Sequence, residues 1–272
     1  MTTTNVLLGT QGWNYPAWVG PFYPTGTRAV DMLGLYARAF RTVEVDSTFY
    51  AVPADPVVRG WVGRVPPEFV FSLKVPQAIT HERRLVDTDE VLAHFLERVR
   101  PLGARLGALL VQLAPDFDAS RGHRHRLAKF LERLPHDLRW AVEFRDARWL
   151  DEATHDLLTE HGIGLALADG RWVKRDLVLA LMERPTADFV YLRWMGPNRR
   201  ITDYSRIQVD REEEIDLWAI GMAALAPRVK TIYGYFNNHF QGHSPQSARE
   251  LQRRLGQPVV EPAALRDQEE LF

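Results

Sequence analysis

Eight short apolar runs recur along the chain, each followed by a turn signal and, in most cases, by a helical pattern. Strands that alternate with helices in this way are typical of parallel βαβ units. The pattern therefore predicts eight consecutive strand–helix units. The predicted strands cover Leu7–Gln11, Thr42–Ser47, Phe69–Val75, Gly107–Leu113, Arg139–Arg145, Gly164–Asp169, Phe189–Trp194 and Thr231–Asn237.

The helices between these strands are indicated by apolar residues that recur at helical spacing. The first predicted helix, Thr27–Ala39, places Leu33 and Tyr36 on one face. The sixth unit is the weakest, because Trp172–Met182 supplies only a short helix. Further helices are predicted over Asp87–Val99, His123–Leu134, Asp151–Glu160, Arg211–Ala224 and Ser244–Leu255.

Eight strand–helix units favour a closed barrel, because an open doubly wound sheet usually has fewer strands and often a glycine-rich phosphate turn. The first turn here, Gly9–Gly12, lacks the GxGxxG spacing. The 272 residues suit one barrel of about 250 residues, and no low-complexity linker divides them. We therefore predict an α/β protein, a single (β/α)8 TIM-type barrel over residues 1–272, with 258–272 as a loosely packed C-terminal extension.

Polar residues occur near the C-terminal ends of the predicted strands. Neighbouring strand residues point to opposite faces, so Val43 and Val45 facing the helices would direct Glu44 and Asp46 into the barrel. The C-terminal end is also where barrel enzymes hold their active sites. The other polar residues expected to face inward are Lys74, Gln112, Glu143, Arg145, Asp169, Arg193, Tyr235 and Asn237.

Two interpretations of these inward charges remain open. The layers inside barrels include salt bridges, so Glu143 paired with Lys74 or Arg145 would simply fix strand ends, and the cations would balance the acids. Burying seven charged groups together is nevertheless more typical of a binding site than of a stabilising device. The convergence of the charges favours a polar pocket at the C-terminal face.

Individual roles within this pocket follow from side-chain chemistry. Carboxylates, an amine and an imidazole can transfer protons, and guanidinium and amide groups bind carboxylates, phosphates and hydroxyls. The candidate catalytic residues are Glu44, Glu143, Lys74 and His81. The candidate substrate-binding residues are Trp13, Asp46, Arg83, Arg84, Gln112, Arg145, Asp169, Arg193, Tyr235, Asn237 and Asn238.

Charge and composition narrow the function classes. With 34 Lys+Arg against 35 Asp+Glu, the net charge is −1, so no global field gathers nucleic acid or anionic membrane. The absence of cysteine excludes disulfides, thiolate metal sites and cysteine nucleophiles. No HExxH motif occurs and no metal ligands are assigned, although the inward carboxylates could also hold a divalent ion; the cofactor stays unknown. No signal-peptide core or membrane span is visible, so cytoplasmic residence is expected.

Five short strings together resemble the YecE-like family, catalogued as domain of unknown function 72. The resemblance extends from about Leu8 to Leu255 and implies a (β/α)8 barrel in a family with no established reaction. Two positions depart from the usual family pattern: Met195 stands where many members have histidine, and His239 where an acidic residue is more usual. The strings are Gly9–Trp13, Glu44–Tyr50, Ile79–Leu85, Val142–Arg145 and Tyr235–Asn238.

The combined pattern predicts an enzyme, a hydrolase or lyase, that acts on a small anionic or sugar-containing substrate. Glu143 or Glu44 would act as acid or base, and Lys74, Arg145 and Arg193 would hold the anion. A nucleic-acid-processing barrel is an alternative, based on an aromatic rim in the first loop, but the net charge does not favour it. A non-catalytic small-molecule binding protein is the third hypothesis.

Overall fold

The computed structural model describes residues 4–197 and 200–266, and it places eight parallel strands around one barrel. The strand order is β1-β8-β7-β6-β5-β4-β3-β2, and an isolated parallel bridge between Gln11 and Glu44 joins β1 to β2. The predicted single (β/α)8 barrel is confirmed. The strands are β1 Asn5–Thr10, β2 Thr42–Val45, β3 Val70–Lys74, β4 Leu106–Gln112, β5 Arg139–Glu143, β6 Gly164–Gly170, β7 Phe189–Gly196 and β8 Thr231–Phe236.

Helices follow the strands and cover the barrel. The first helix begins at Met32 rather than at Thr27, because a separate turn precedes it, in which the Asp31 N–H donates to the carbonyl oxygen of Arg28 at 3.0 Å. A helix over Asp55–Val62 escaped sequence analysis. The α-helices are α1 Met32–Ala39, α2 Ser47–Tyr50, α3 Asp55–Val62, α4 Asp89–Val99, α5 Arg121–Leu131, α6 Glu152–Glu160, α7 Arg175–Met182, α8 Glu212–Leu225, α9 Ser244–Arg254 and α10 Pro262–Arg266.

Alternation along the strands separates two cores. A small apolar cluster fills the lower barrel interior, and a much larger one packs the strands against the helices. Val43 and Val45 belong to the outer core, as their parity predicts. The interior cluster consists of Leu7, Ala108, Leu110, Ala141, Ala166, Phe189, Tyr191, Tyr233 and Tyr235.

The C-terminal segment returns to the first helix. In α10, Leu265 is fully buried, and the Arg38 guanidinium donates to the carbonyl oxygen of Ala264 at 2.9 Å. Residues 267–272 of the expected extension lie outside the described residues, so a loosely packed end stays a prediction. Among the described helices, none combines the length and apolar character needed to cross a bilayer.

The β1–β2 seam depends on the hydroxyl of Tyr36, which lies on α1. The backbone N–H of Thr10 donates to this hydroxyl at 2.9 Å, and the hydroxyl donates to the carbonyl oxygen of Thr42 at 3.0 Å. Tyr36 is completely buried, so neither backbone group can turn to water instead. One phenol therefore links the two strands that close the barrel.

Tyr36→Phe is expected to lower the free energy of unfolding by about 1–3 kcal/mol, the cost of a buried donor left without a partner. Urea unfolding followed by circular dichroism would measure the change. Tyr50→Phe is the matched control, because Tyr50 is 73% exposed and should lose almost nothing. Equal stability of the two variants would contradict the role given to the seam.

Candidate functional site

Seven of the residues predicted for the site line one cavity of about 230 Å³ at the C-terminal ends of the strands. The strands bring them together because side chains of inward parity at the ends of parallel strands meet at one end of the barrel. Proton-transferring and charged groups thus share a single pocket. The seven residues are Asp46, Lys74, Gln112, Glu143, Arg145, Arg193 and Asn237.

The floor of the pocket is a buried triad of Glu44, Arg193 and Glu143. Arg193 donates from Nη2 and Nε to the two oxygens of Glu44, at 2.7 and 2.9 Å, and from Nη1 to Glu143 Oε2. The second oxygen of Glu143 accepts from Gln112 Nε2 at 2.7 Å, and the Tyr191 hydroxyl donates to Glu44 at 2.7 Å. Each carboxylate oxygen of the triad therefore already has a hydrogen-bond donor.

The pKa values of the two glutamates of the triad are shifted in opposite directions. Burial, together with the negative charge of Asp46, raises the pKa of Glu44 above its ordinary value against the pull of Arg193. The positive charges of Arg193, Arg145 and Lys74 outweigh the effect of burial on Glu143 and lower its pKa. The shared guanidinium of Arg193 thus lies between one glutamate whose pKa is raised and one whose pKa is lowered.

The hydrogen bonds of the triad change the roles predicted for its members. Glu44 does not line the cavity, because Arg193 covers it. Arg193 reaches the cavity but is 1% exposed and engaged by two carboxylates, which explains why its own pKa is raised. The alternative foreseen from the sequence, in which buried cations balance the acids, fits this part of the site.

Lys74 and Asp46 also line the cavity, but they are not part of the hydrogen-bonded triad. The Lys74 ammonium lies 3.9 Å from the centroid of the Phe49 ring and, among the described residues, has no carboxylate oxygen within 4.0 Å. Asp46 Oδ1 is buried and finds no hydrogen-bond partner in the described structure, although Arg193 Nη2 lies 3.9 Å away. Lys74 and Asp46 can therefore still form hydrogen bonds with a ligand, whereas the carboxylates of the triad are already occupied.

His81 lies next to Phe49, the residue whose ring contacts Lys74. It lies in a single π-helical turn, Ala78–Glu82, and its ring meets the edge of Phe49 at 4.9 Å between centroids. Burial and the nearby charges of Arg145 and Lys74 lower its pKa to about 4, so the imidazole is neutral at neutral pH. His81 does not line the cavity.

The loop after β3 explains why Arg83 and Arg84 do not reach the pocket. Arg84 has a left-handed backbone, with φ of +48°, and its guanidinium donates to Asp116 at 2.8 Å. Arg83 is exposed and donates to the carbonyl oxygen of Asp87. Their expected contribution to an anion site is not reproduced, because the loop turns both side chains outward.

The inward orientation expected for Asp169 was wrong. Its carboxylate lies between barrel and helices, where it accepts hydrogen bonds from Arg175 Nε at 2.8 Å and Trp218 Nε1 at 3.1 Å. The physical reason is parity, since Ala166 and Ala168 take the inward positions of β6 and line the cavity.

Three other predicted contacts lie elsewhere. Asn238 accepts from the backbone N–H of Ser244 at 3.0 Å, so it ties down the start of α9. Tyr235 faces inward but one layer lower, where its hydroxyl donates to Ser72 at 2.7 Å. Trp13 packs edge-to-face on Trp61 at 6.1 Å.

The aromatic rim that supported a nucleic-acid hypothesis is mostly core. Trp18, Phe22 and Tyr23 are completely buried and pack against one another in edge-to-face and tilted arrangements. Two exposed aromatics do border the cavity, Tyr50 after β2 and Trp172 after β6. The structure thus offers little exposed stacking surface in the first loop.

Sequence analysis missed several cavity residues, among them Gln11, Met195 and His239. The Gln11 amide donates to Met195 Sδ at 2.9 Å and accepts from Asn237 Nδ2 at 2.8 Å. Gln11 follows Leu7 and Gly9 in inward parity, so the rule that found Glu143 would have found it too. Met195 and His239, the two positions expected from the resemblance to depart from the family pattern, both line the pocket.

Comparison with known proteins agrees with this architecture. A family model described as "Protein of unknown function DUF72" matches residues 7–269. The chain belongs to the DUF72 family. The resemblance predicted from the five short strings is therefore confirmed.

This DUF72 protein is similar to two curated bacterial proteins. It is 30% identical to UPF0759 protein YecE of Escherichia coli strain K12 over 173 residues, 61% of this chain and 60% of YecE. It is 22% identical to UPF0759 protein YunF of Bacillus subtilis strain 168 over 266 residues, 90% of this chain and 93% of YunF. The match with YecE thus spans less than two thirds of that protein.

Solved structures of two DUF72 family proteins share the fold. The protein from Thermotoga maritima is 28% identical, with a TM-score of 0.80, over 93% of this chain and 100% of that chain. The protein from Enterococcus faecalis is 22% identical, with a TM-score of 0.75, over 95% of this chain and 100% of that chain.

Proposed function

We propose that this DUF72 protein is an enzyme, a lyase or hydrolase, that acts on a small anionic substrate in the pocket at the C-terminal face. The cavity of about 230 Å³ lies below the roughly 300–1,000 Å³ typical of sites for drug-sized ligands. Such a volume suits a small metabolite. The observation that carries the proposal is the contrast between the saturated triad and the unsaturated pair of Lys74 and Asp46.

The triad supports the site rather than reacting in it. Its carboxylates are engaged by Arg193, Gln112 and Tyr191, and the lowered pKa of Glu143 keeps that group ionised at neutral pH. A general acid must carry a proton, and a general base must have an accessible lone pair. We therefore assign acid–base chemistry to Lys74 and Asp46 in place of Glu44 and Glu143.

Arg145 is the residue best placed to bind an anionic group of the substrate. It lies beyond the end of β5, lines the cavity, and contacts Glu143 with Nε 3.5 Å from Oε1. Its guanidinium carbon lies 5.9 Å from the exposed Trp172 ring, so charge and an aromatic face meet at the same rim. The amides of Gln11 and Asn237 offer donors and acceptors for hydroxyl groups of the ligand.

A thermal-shift screen with small carboxylates, sugar acids and phosphorylated sugars tests the proposal. A ligand at a hundred times its Kd stabilises the native state by about 2.7 kcal/mol. For a chain of this size we expect Tm to rise by roughly 5–10 °C. Arg145→Met should abolish the shift, and Arg184→Met, at an exposed ion pair with Glu152, should retain it.

Two results would contradict the proposal. If no anionic compound raised the Tm of the wild-type protein, the pocket would not be an anion site. If a compound bound tightly but was never converted, the protein would be a non-catalytic binding protein. Turnover of each stabilising compound, followed by NMR, separates the second result from an enzyme.

A further inference from the structure

Lys74 differs from the other lysines of the chain. The sequence contains four, and Lys129 and Lys230 make exposed ion pairs with Glu132 and Asp188 at 2.8 and 3.0 Å. Lys174 is exposed at the start of α7. Lys74 alone among them lines the cavity, where its side chain is held at the end of a strand.

The surroundings of Lys74 make its ammonium group easier to deprotonate than that of an ordinary lysine. Burial lowers the pKa of its ammonium group, and the positive charge of Arg193 lowers it further, while Asp46 is the strongest of the charges that oppose the shift. A lysine that is desolvated beside another cation is the kind that acts as a nucleophile towards carbonyl carbons. Phe49 supplies an apolar face under the nitrogen without supplying a competing proton acceptor.

We infer that Lys74 forms a Schiff base with the carbonyl carbon of a small oxo acid, whose carboxylate lies against Arg145. This inference rests on the proposed function and narrows its substrate class. A single guanidinium fork at the rim matches the geometry of a carboxylate. Lys74 and Arg145 line the same small cavity, so a ligand that fills it can meet both the amine and the guanidinium.

The step balances without an external reagent. Asp46 accepts one proton from the ammonium, and the nitrogen lone pair forms the C–N bond while the carbonyl π electrons move to oxygen. A second nitrogen proton transfers to that oxygen, Asp46 returns the first, and the C–O bond breaks to release water. Ammonium and carbonyl thus become a protonated imine and one water, and Asp46 ends in its starting state.

The protonated imine explains how the pocket would perform lyase chemistry. Its nitrogen accepts the electron pair of a bond that breaks next to the former carbonyl carbon, which is the function of Schiff-base lysines. The unpartnered oxygen of Asp46 is available to take the proton that this cleavage releases. The hydrogen bonds of the triad do not involve that oxygen of Asp46.

Borohydride trapping tests the inference on the wild-type chain of 272 residues. Glyoxylate, pyruvate and 2-oxobutyrate would each be incubated with the protein and reduced, and peptides would be mapped by mass spectrometry. We expect the reduced adduct at Lys74 to exceed that at Lys129, Lys174 or Lys230 by about tenfold or more, because a carbonyl bound beside the amine reacts faster than one met in free solution. Lactate, which has the same carboxylate but no carbonyl, should give no adduct.

Lys74→Arg separates the covalent step from binding. It retains the positive charge, so the Tm shift caused by anions should persist while the adduct disappears. Adducts spread evenly over the four lysines, or none at Lys74 with any oxo acid, would overturn the inference. If anions still raised Tm in that case, the proposed function would stand without the Schiff base, whereas absence of any shift would remove both.

Discussion

Arg193→Met is expected to lower the free energy of unfolding by about 3–5 kcal/mol at neutral pH, the cost of removing one partner from a buried ion pair. The variant leaves Glu44 completely buried with only the Tyr191 hydroxyl as a donor. Glu143 keeps Gln112 and the more distant Arg145. Chemical unfolding of wild type and variant, at the same pH, measures the difference.

The loss should shrink as pH falls. Burial already raises the pKa of Glu44, and without Arg193 it would rise further. A group whose folded-state pKa is raised stabilises fully below its unfolded pKa, about 4.3 for glutamate, and loses that contribution as pH rises through the folded value. The variant should therefore approach wild-type stability towards pH 4 and lose stability relative to wild type as pH rises from there.

Arg184→Met provides the matched control for charge removal. Arg184 pairs with Glu152 on the surface, with both side chains more than half exposed, so its loss should lower the free energy of unfolding far less than the loss of Arg193. If Arg193→Met cost as little, the triad would not be the buried support described here. The proposal that Lys74 and Asp46 react while the triad only supports them would then lose its main argument.

Gly9→Ala is expected to destabilise the barrel by about 3 kcal/mol, the upper part of the usual range for overpacking. A Cβ at Gly9 would lie 2.1 Å from the carbonyl oxygen of Thr42 and 2.9 Å from the Tyr36 hydroxyl. The first contact is with backbone, which cannot rotate away, so β1 and β2 must separate. Thermal unfolding would report the loss as a lower Tm.

Gly122→Ala is the control for the substitution itself. Gly122 lies in α5, and a Cβ there would meet no heavy atom within 4 Å. Alanine favours helix more than glycine does, so this variant should match or exceed wild-type stability by up to about 1 kcal/mol. A Gly9→Ala variant as stable as Gly122→Ala would mean that the seam can widen without penalty.

The alternation of apolar and polar positions along the sequence determined the barrel fold and part of the candidate site. It predicted all eight strands, the barrel, and the meeting of Lys74, Glu143 and Arg193 at one end, because pleating fixes which side chains share a face. Parity also accounts for two errors. Gln11 faces the pocket and Asp169 the helices, as strict counting along β1 and β6 requires.

Only the tertiary structure decided which charges are available. The sequence placed Glu44, Asp46 and Glu143 together but could not show that Arg193 binds both glutamates while an oxygen of Asp46 stays without a partner. Hydrogen bonds between distant strands depend on side-chain reach and rotamer across the barrel, which no local pattern encodes. The tertiary structure also decided where loop side chains such as Arg84 point. The left-handed backbone at Arg84 directs its guanidinium to Asp116 and away from the site.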